Sequence, residues 1–538
     1  MTAHTSACKY AIGLLPSMTF ASLTADSRVA TSDSLFLAYK GALSDGRHFI
    51  DEAIANGAKA ILWDEADGFS WREDWPIKHV AVTNLKQQAG VIAAEFYGNP
   101  SASLTMIGVT GTNGKTSVTQ WIGQCLSRLG QKTAVIGTNG HAIFEAHQTP
   151  PNTSNAAPKS KGVCENPLSI SHQQATMNTT PDAILIQKIL AEYLALGVQA
   201  VAMEVSSHGL DQGRVNGIAF DVGVLTNLTR DHLDYHGNME NYAAAKQTLF
   251  VWPNLKTAIL NGDDDFGQSL VATLSKQQRT FATYGFNESD FHADHLVLSQ
   301  HGLQMTVSTL AGTAKVNAPV IGRFNADNIL AVLATLVRLD FNLHDAVTAI
   351  SHITPVPGRM QQIGGGSAPL VVVDYAHTPD ALEKILVTLK AQLSTHAKLI
   401  CVFGCGGNRD AGKRPIMGNI ASQYADVIVL TNDNPRHEVA SDILQAIQAG
   451  FNVGFDAFNM VPDRKEAIFS AVSQATIGDI VIIAGKGHED YQDIAGVKTP
   501  FSDIAIAQAS LDLKAPVYAG LNGFSQTPSV HAIKGRLQ

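Results

Sequence analysis

The chain has 538 residues, with 38 Lys and Arg against 47 Asp and Glu and a net charge of −9. At about 100–200 residues per domain, this length supports roughly three domains, each able to bury its own core without a metal or disulfide staple. Hydrophobic residues make up 45% and charged residues 16%, as in soluble globular proteins, and no uncharged apolar run approaches the roughly 20 residues that span a bilayer. Membrane insertion is therefore excluded. The acidic balance, without Lys/Arg runs and interleaved aromatics, gives no nucleic-acid surface.

Five cysteines (Cys8, Cys125, Cys164, Cys401 and Cys405) are an odd and sparse set, which points to reduced thiols and a cytoplasmic location. Cys401 and Cys405 lack the second pair or spaced His of a zinc site and read as buried cysteines. The apolar stretch Lys9 to Pro16 is too short for a signal peptide and is read as the start of a folded domain.

In chain order, residues 1–103 form a small mixed unit, and Gly98-Asn-Pro-Ser101 reads as a linker. From Leu104 onward, short apolar runs alternate with turns and helix-period segments, the signature of parallel βαβ construction. A first block holds runs at 104–109, 200–203, 222–225 and 258–260, and a second holds runs at 370–373, 399–403, 427–430 and 480–483. Residues 326–339 have helical period, and Pro355-Val-Pro-Gly358 marks a joint. The expected architecture is α/β in three domains: 1–103 small and mixed, 104–355 with a central phosphate-loop ATPase-like parallel sheet, and 356–538 a Rossmann-like doubly wound domain. Residues 141–176, rich in Asn, Ser, Thr, Pro, Gln and His, show neither period and read as a mobile surface insertion.

Gly108-Val-Thr-Gly-Thr-Asn-Gly-Lys-Thr-Ser117 follows a strand and precedes a helix whose apolar residues Val118, Trp121, Ile122, Cys125, Leu126 and Leu129 lie on one face. Glycines allow tight turning, amides at a helix start face an anion, Lys115 reaches outer phosphates and Thr116 suits Mg²⁺. The spacing departs from the strict phosphate-loop pattern, because Val109 stands five before Gly114. Gly-Lys-Thr in this context still favours a nucleotide over a plain glycine turn. Glu204, at the end of an apolar run, belongs at a strand's carboxyl edge, where a metal contact is needed. Ser206, Ser207, His208, Gln212 and Arg214 crowd beside it. His232 stands between two carboxylates, and a metal or phosphate role and a structural one are equally open. Lys246, on a helix after an Asn238 cap, reads on its own as a solvated lysine.

Four polar motifs follow the four strand runs of the last domain: Asp374 to Pro379, Gly404 to Asp410, Thr431 to Glu438 and Gly485 to Glu489. Ligands bind outside the carboxyl ends of such strands. Arg409, Arg436, Glu489, Lys486, His377 and His488 collect there, a set that suits a zwitterion.

Thr110 to Thr116, Glu204 to Gly209, Asn227 to His232, Gly322 to Asn325, Pro357 to Arg359 and Asp374 to His377 together resemble the Mur ligases, cytoplasmic enzymes of peptidoglycan-precursor synthesis. The folylpolyglutamate synthases share the loop without the whole set. Asp433-Asn-Pro-Arg436 is similar to the meso-diaminopimelate determinant of the diaminopimelate-adding members. The resemblance implies that Gly111, Thr112, Asn113, Gly114, Lys115, Thr116 and Ser117 hold ATP, with Asn325, Arg359, Asp374 and His377 completing its site. It implies Mg²⁺ on Thr116, Glu204, His232 and Lys246, the lysine as its N6-carboxyl (carbamylated) form, and a catalytic set of Lys115, Glu204, His232 and Lys246. Ala25, Ser27, Ala42, Leu43, Ser44, Asn178, Thr179, Thr180, Ser206, Gln212 and Arg214 match residues that hold the UDP-muramoyl dipeptide. Positions 42 and 43 carry Ala and Leu where relatives have a longer polar pair. Arg409, Asp433, Asn434, Pro435, Arg436, Gly485 and Glu489 match the diaminopimelate pocket. The implied reaction is ATP-dependent addition of meso-diaminopimelate to UDP-N-acetylmuramoyl-L-alanyl-D-glutamate through an acyl phosphate, by a monomer. A lysine-adding ligase and an ATP-gated binding protein without ligase activity are the alternatives.

Overall fold

The computed structural model describes residues 15, 18–41, 44–147, 168–176, 178–299 and 302–514. Cys8, Cys164, Ala42, Leu43 and all of the Lys9 to Pro16 stretch except Leu15 lie outside the described residues. Three main sheets follow one another along the chain, and among the described residues no strand pairing links 22–82, 105–318 and 361–484 to each other.

The first sheet has four parallel strands in sequence order, Ser22–Thr24, Ser34–Ala38, Ala60–Asp64 and Lys78–Val82. Leu35, Leu37 and Leu62 pack against the helix Leu85–Phe96 on one face, and Phe36, Ile61 and Trp63 bury the other.

The central sheet has eleven strands. Its parallel heart runs Phe281–Gly285, Thr257–Asn261, Val222–Leu225, Thr105–Thr110, Ala200–Glu204, Thr133–Gly137. The four expected runs all lie in this heart, because strands buried on both faces read as continuous apolar stretches. The helices Lys115–Arg128 and Arg323–Arg338 cover one face, while Ala183–Ala195, Met239–Phe250 and Asp265–Lys276 cover the other.

Both edges differ from the expected purely parallel block. Phe291–Ser299 pairs parallel to the heart, and Gly302–Thr309 and Gly312–Ala318 extend that edge antiparallel. On the other side Gly140–Phe144 and Ile170–Gln174 add two antiparallel strands. The reading of 141–176 as an insertion without regular structure is thus corrected at both ends of that stretch. Gly140–Phe144 is wholly buried and Ile170–Gln174 almost wholly exposed, so neither carries the alternation that marks a strand in sequence.

The last sheet runs Gln361–Gly364, Leu370–Asp374, Ile480–Ala484, Leu399–Phe403, Val427–Leu430, Phe458–Met460, parallel except for its first strand. Helices cover both faces, and a hairpin, Tyr491–Ile494 with Val497–Pro500, stands beside it. Cys125, Cys401 and Cys405 are free and buried.

The first unit meets the central one through close backbone contact. A Cβ on Gly90, within helix Leu85–Phe96, would stand 2.2 Å from the Asn216 carbonyl oxygen. Gly90→Ala is expected to cost about 1–3 kcal/mol through forced separation of these elements, read as a lowered midpoint in urea. An unchanged midpoint would show that the contact yields freely.

Candidate active site

The phosphate-loop sequence folds tightly because Gly111 and Gly114 take φ of 147° and 85°, values that side chains resist. Close approach adds a second constraint, since a Cβ on Gly111 would stand 1.9 Å from Thr226 Oγ1, and one on Gly114 2.4 Å from Asn328 Oδ1. The stretch 226–229 clamps the loop: Asn227 O accepts Thr112 N at 2.8 Å, Asn227 Oδ1 accepts Asn113 N at 3.0 Å, and Thr226 Oγ1 donates to Asn113 O at 2.6 Å. Lys115 opens the helix Lys115–Arg128, where amides and the helix dipole favour an anion. Its Nζ donates to Gly111 O and Thr112 O at 2.9 and 2.8 Å.

Glu204 ends its strand beside Val109 and is 1% exposed. Its Oε2 accepts Thr116 Oγ1 at 3.1 Å and Thr138 Oγ1 at 3.2 Å, and its Oε1 accepts Thr138 N at 2.8 Å. Gly137 makes room, since a Cβ there would lie 2.2 Å from Glu204 Oε1. Thr138, in the two-residue turn after Thr133–Gly137, has no motif around it and was not legible in the sequence.

Lys246 is the clearest correction. The expected Asn238 cap is present, with Oδ1 accepting Asn241 N at 2.8 Å, but Lys246 is 1% exposed rather than solvated. Its Nζ lies 4.4 Å from the Tyr242 ring centroid and donates to Gly111 O at 2.8 Å, the same carbonyl that receives Lys115. Burial, reinforced by the Lys115 charge, pushes the Lys246 ammonium well below its ordinary range. His232 stands at φ 55°, and burial pushes its imidazole down to about 2. His208, 4.8 Å away between ring centroids, is pushed down to about 4 by burial and then by His236. Asp231 lies within 3.4 Å of His232 Nε2 and 3.5 Å of His377 Nε2. Burial opposes its ionisation, yet the His377 hydrogen bond holds its carboxyl well below the usual range.

The last sheet docks its carboxyl edge onto this region. Arg359 Nη2 donates to Thr116 Oγ1 at 2.8 Å, and the guanidinium stacks 4.4 Å from the Tyr375 centroid. Asp374 turns inward, with Oδ2 and Oδ1 each accepting a backbone amide at 2.7 Å, from Met360 and Ala376. His377 Nδ1 meets Tyr375 O at 2.8 Å. Asn113 is bridged from the other side by Asp380 and Thr378, at 2.9 and 3.2 Å. Asn325 is buried and accepts Asn328 Nδ2 at 3.0 Å, orienting the residue that touches Gly114. A cleft of about 750 Å³ is lined by Lys115, Thr116, Ser117, Glu204, His232, Lys246, Asn325, Arg359, Asp374 and His377, among others.

Of the expected UDP-muramoyl set, Thr179 and Ser206 also line this cleft. Thr180 Oγ1 accepts Ser206 N at 2.9 Å, and Arg214 donates to Thr180 O at 2.8 Å and Gln212 Oε1 at 2.7 Å. Asn178 and Ser44 are exposed and Ala25 is half-buried. Ser27 donates to Glu52 at 2.5 Å in the first unit, away from the cleft. Tyr39, absent from the expected set, joins the two regions: burial and then Asp182 push its phenol up to about 12, while Arg214 acts against them.

The expected zwitterion residues form a neighbouring group behind Tyr375, whose hydroxyl reaches Glu489 Oε1 at 3.4 Å. Asn434 Nδ2 donates to Glu489 Oε2 at 3.0 Å. Arg436 takes φ 51° and donates to Gly407 O at 2.8 Å. Asp433 and Pro435 are buried, and a Cβ on Gly485 would meet Asp433 Oδ2 at 2.4 Å. Arg464 and Asp503, both fully buried and 2.7 Å apart, brace this group from beneath, since Arg464 donates to Asn432 O and Ala484 O. Arg409 is exposed, 3.8 Å from Asp234, and Arg230 pairs with Asp410 at 3.1 Å, so both units contribute to the rim.

Residues 19–97 match the catalytic domain of the Mur ligase family, residues 109–336 the Mur ligase middle domain, and residues 358–487 the Mur ligase glutamate ligase domain. The chain is 49% identical over 487 residues to the UDP-N-acetylmuramoyl-L-alanyl-D-glutamate–2,6-diaminopimelate ligase of Chromobacterium violaceum, a match covering 90% of this chain and 93% of that protein. It is 44% identical over 492 residues to the ligase of the same name from Pseudomonas aeruginosa, covering 91% and 94%. Among solved structures, a UDP-N-acetylmuramoyl-L-alanyl-D-glutamate–2,6-diaminopimelate ligase superposes with a TM-score of 0.61 at 35% identity, covering 92% of this chain and 95% of that one. The fold extends to the MurF ligase of Thermotoga maritima in complex with ADP, at 18% identity and a TM-score of 0.61 over 92% and 98% of the chains. With three successive domain matches and relatives this similar over nine-tenths of its length, the chain belongs to the Mur ligase family.

Proposed function

We infer that this chain is an ATP-dependent amide ligase that joins meso-diaminopimelate to the D-glutamate of UDP-N-acetylmuramoyl-L-alanyl-D-glutamate in peptidoglycan-precursor synthesis. The observation that carries the reading is the facing of two strand-carboxyl edges across one cleft, with the phosphate loop on one and the Asn434–Glu489 group beside the other. A carboxylate does not condense with an amine unaided. Transfer of the ATP γ-phosphoryl to the glutamate γ-carboxylate makes an acyl phosphate and ADP. The diaminopimelate amine then attacks the acyl carbon, loses a proton and expels phosphate. Lys115 and the loop amides stabilise charge on the transferring phosphoryl group, and no protein nucleophile is required.

Mg²⁺ fits the residues in one form only. Among the described residues no three His, Cys, Asp or Glu side chains cluster as a metal cage, so a dication here draws on Thr116, Glu204, His232, water and phosphate oxygens, a set that Mg²⁺ accepts. An ammonium at 246 would repel it. A neutral amine there, which the burial beside Lys115 favours, can add CO₂ and release a proton, leaving a carbamate whose oxygens complete the set. The ion would neutralise phosphate charge. Ser27, Ser44 and Ala25 then hold uridine, and Thr179, Thr180, Ser206, Gln212 and Arg214 hold the rest of the nucleotide substrate. Arg409 and Arg436 take the diaminopimelate carboxylates and Glu489 an ammonium. Such chemistry on a soluble nucleotide precursor belongs in the cytoplasm, and it needs only one copy of the chain.

With the UDP-muramoyl dipeptide and ATP, product of the expected mass should form with meso-diaminopimelate and not with L-lysine. Preference for lysine would overturn the reading of Arg436, and no product with either would favour a binding protein.

Lys246→Ala should lower kcat by about 100-fold or more, while the intact wild-type chain carries one extra CO₂ by native mass spectrometry that the variant lacks. An unmodified, fully active wild type would refute the carbamate.

Arg230→Glu, which sets like charge against Asp410, should leave the site open to water and raise phosphate release per amide formed several-fold. An unchanged ratio would show that this contact has no part in closure.

A further inference from the structure

Lys486 stands at the end of the strand Ile480–Ala484, where a cation would ordinarily face solvent or a ligand. It is instead 0% exposed. Its Nζ donates to Glu489 Oε2 at 2.8 Å and to Asn434 Oδ1 at 3.0 Å, with the Tyr491 ring centroid 5.4 Å away. Asn434 Oδ1 also accepts Asp493 N at 2.9 Å. An ammonium and a backbone amide converge on that one atom, so it must be the oxygen, and the Asn434 Nδ2 is turned onto Glu489 Oε2 at 3.0 Å. Two donors therefore occupy Oε2. Among the described residues Oε1 keeps only the long 3.4 Å contact from the Tyr375 hydroxyl, which leaves it able to accept from an incoming ammonium.

We propose that Lys486 is the positioning residue of the amino-acid pocket: without touching the amino acid, it fixes the Glu489 carboxylate with Oε1 outward and locks the Asn434 amide in one orientation. The proposal rests on reading this edge as the amino-acid site. The neutral Lys486–Glu489 pair has a further consequence. An arriving ammonium meets a carboxylate already oriented, so little reorganisation accompanies binding. A buried ion pair can also be merely structural, and the two roles differ in what they change. A structural loss weakens every substrate together, whereas among the substrates a positioning loss falls on the amino acid alone.

Steady-state kinetics of the full chain with the UDP-muramoyl dipeptide, ATP and meso-diaminopimelate separate them. Lys486→Met should raise the KM for meso-diaminopimelate by about 10- to 100-fold, as expected when two charge-assisted hydrogen bonds are lost. The KM values for ATP and the nucleotide and single-turnover ADP formation should stay near wild type, although losing one partner of a buried pair lowers the thermal midpoint. An unchanged KM for the amino acid, or a parallel weakening toward all three substrates, would overturn the proposal. Should Lys486→Met fail to fold, Lys486→Gln combined with Glu489→Gln carries the test as an uncharged pair. Its KM should equal that of Glu489→Gln alone, because Lys486 acts through that carboxylate, and a further rise would refute this. Absence of any product from the wild type with meso-diaminopimelate would instead sink the reading of the site, a different outcome from any of these.

Discussion

The structure depends on how closely the phosphate loop is pressed between neighbouring elements. Gly111 and Gly114 leave no space for a side chain against Thr226 and Asn328, so the loop backbone is held by 226–229 on one side and by the helix Arg323–Arg338 on the other. That compression fixes where the Gly111 carbonyl points, and both Lys115 and Lys246 are placed by hydrogen bonds to it. It also fixes Thr116, the first point of contact for both Glu204 and Arg359. A small displacement of the loop would move every charged group of the cleft together.

The electrostatics follow from this crowding. Lys115 and Lys246 share a carbonyl, and Arg359 stands one residue away on Thr116, while the nearest buried carboxylates, Glu204 and Asp231, are already engaged with threonines or histidines. Arg359 bonds to the Thr116 hydroxyl and stacks on Tyr375, whose own hydroxyl reaches Glu489, so this guanidinium links the loop to the polar group of the last domain.

Much of this was legible in the chain itself, for a physical reason. The eight apolar runs that were read as strands lie in parallel sheets buried on both faces, where hydrophobicity is continuous, and the motifs follow them because parallel sheets present their ligands at strand ends. Legibility failed where burial and period part company. Gly140–Phe144 is buried without alternating and Ile170–Gln174 is polar, so both were read as loop. Lys246 sits in the helix Met239–Phe250 with ordinary spacing, and nothing local betrays that its side chain reaches Gly111, 135 positions away. Thr138, Tyr39 and the Arg464–Asp503 pair were missed on similar grounds, since their partners are assembled by tertiary packing and no short motif carries them.

Two placements of basic side chains thus divide the work. Lys115 and Lys246 end on backbone carbonyls, which satisfy hydrogen bonds without supplying a counter-charge, and burial disfavours the ammonium form of both. Lys486 and Arg464 end on carboxylates, Glu489 and Asp503, and are neutralised within the fold. The first arrangement is costly in an empty site and is relieved by binding. The second is indifferent to occupancy and holds its partners still. The two arrangements meet at Tyr375, whose ring stacks against Arg359 and whose hydroxyl reaches Glu489.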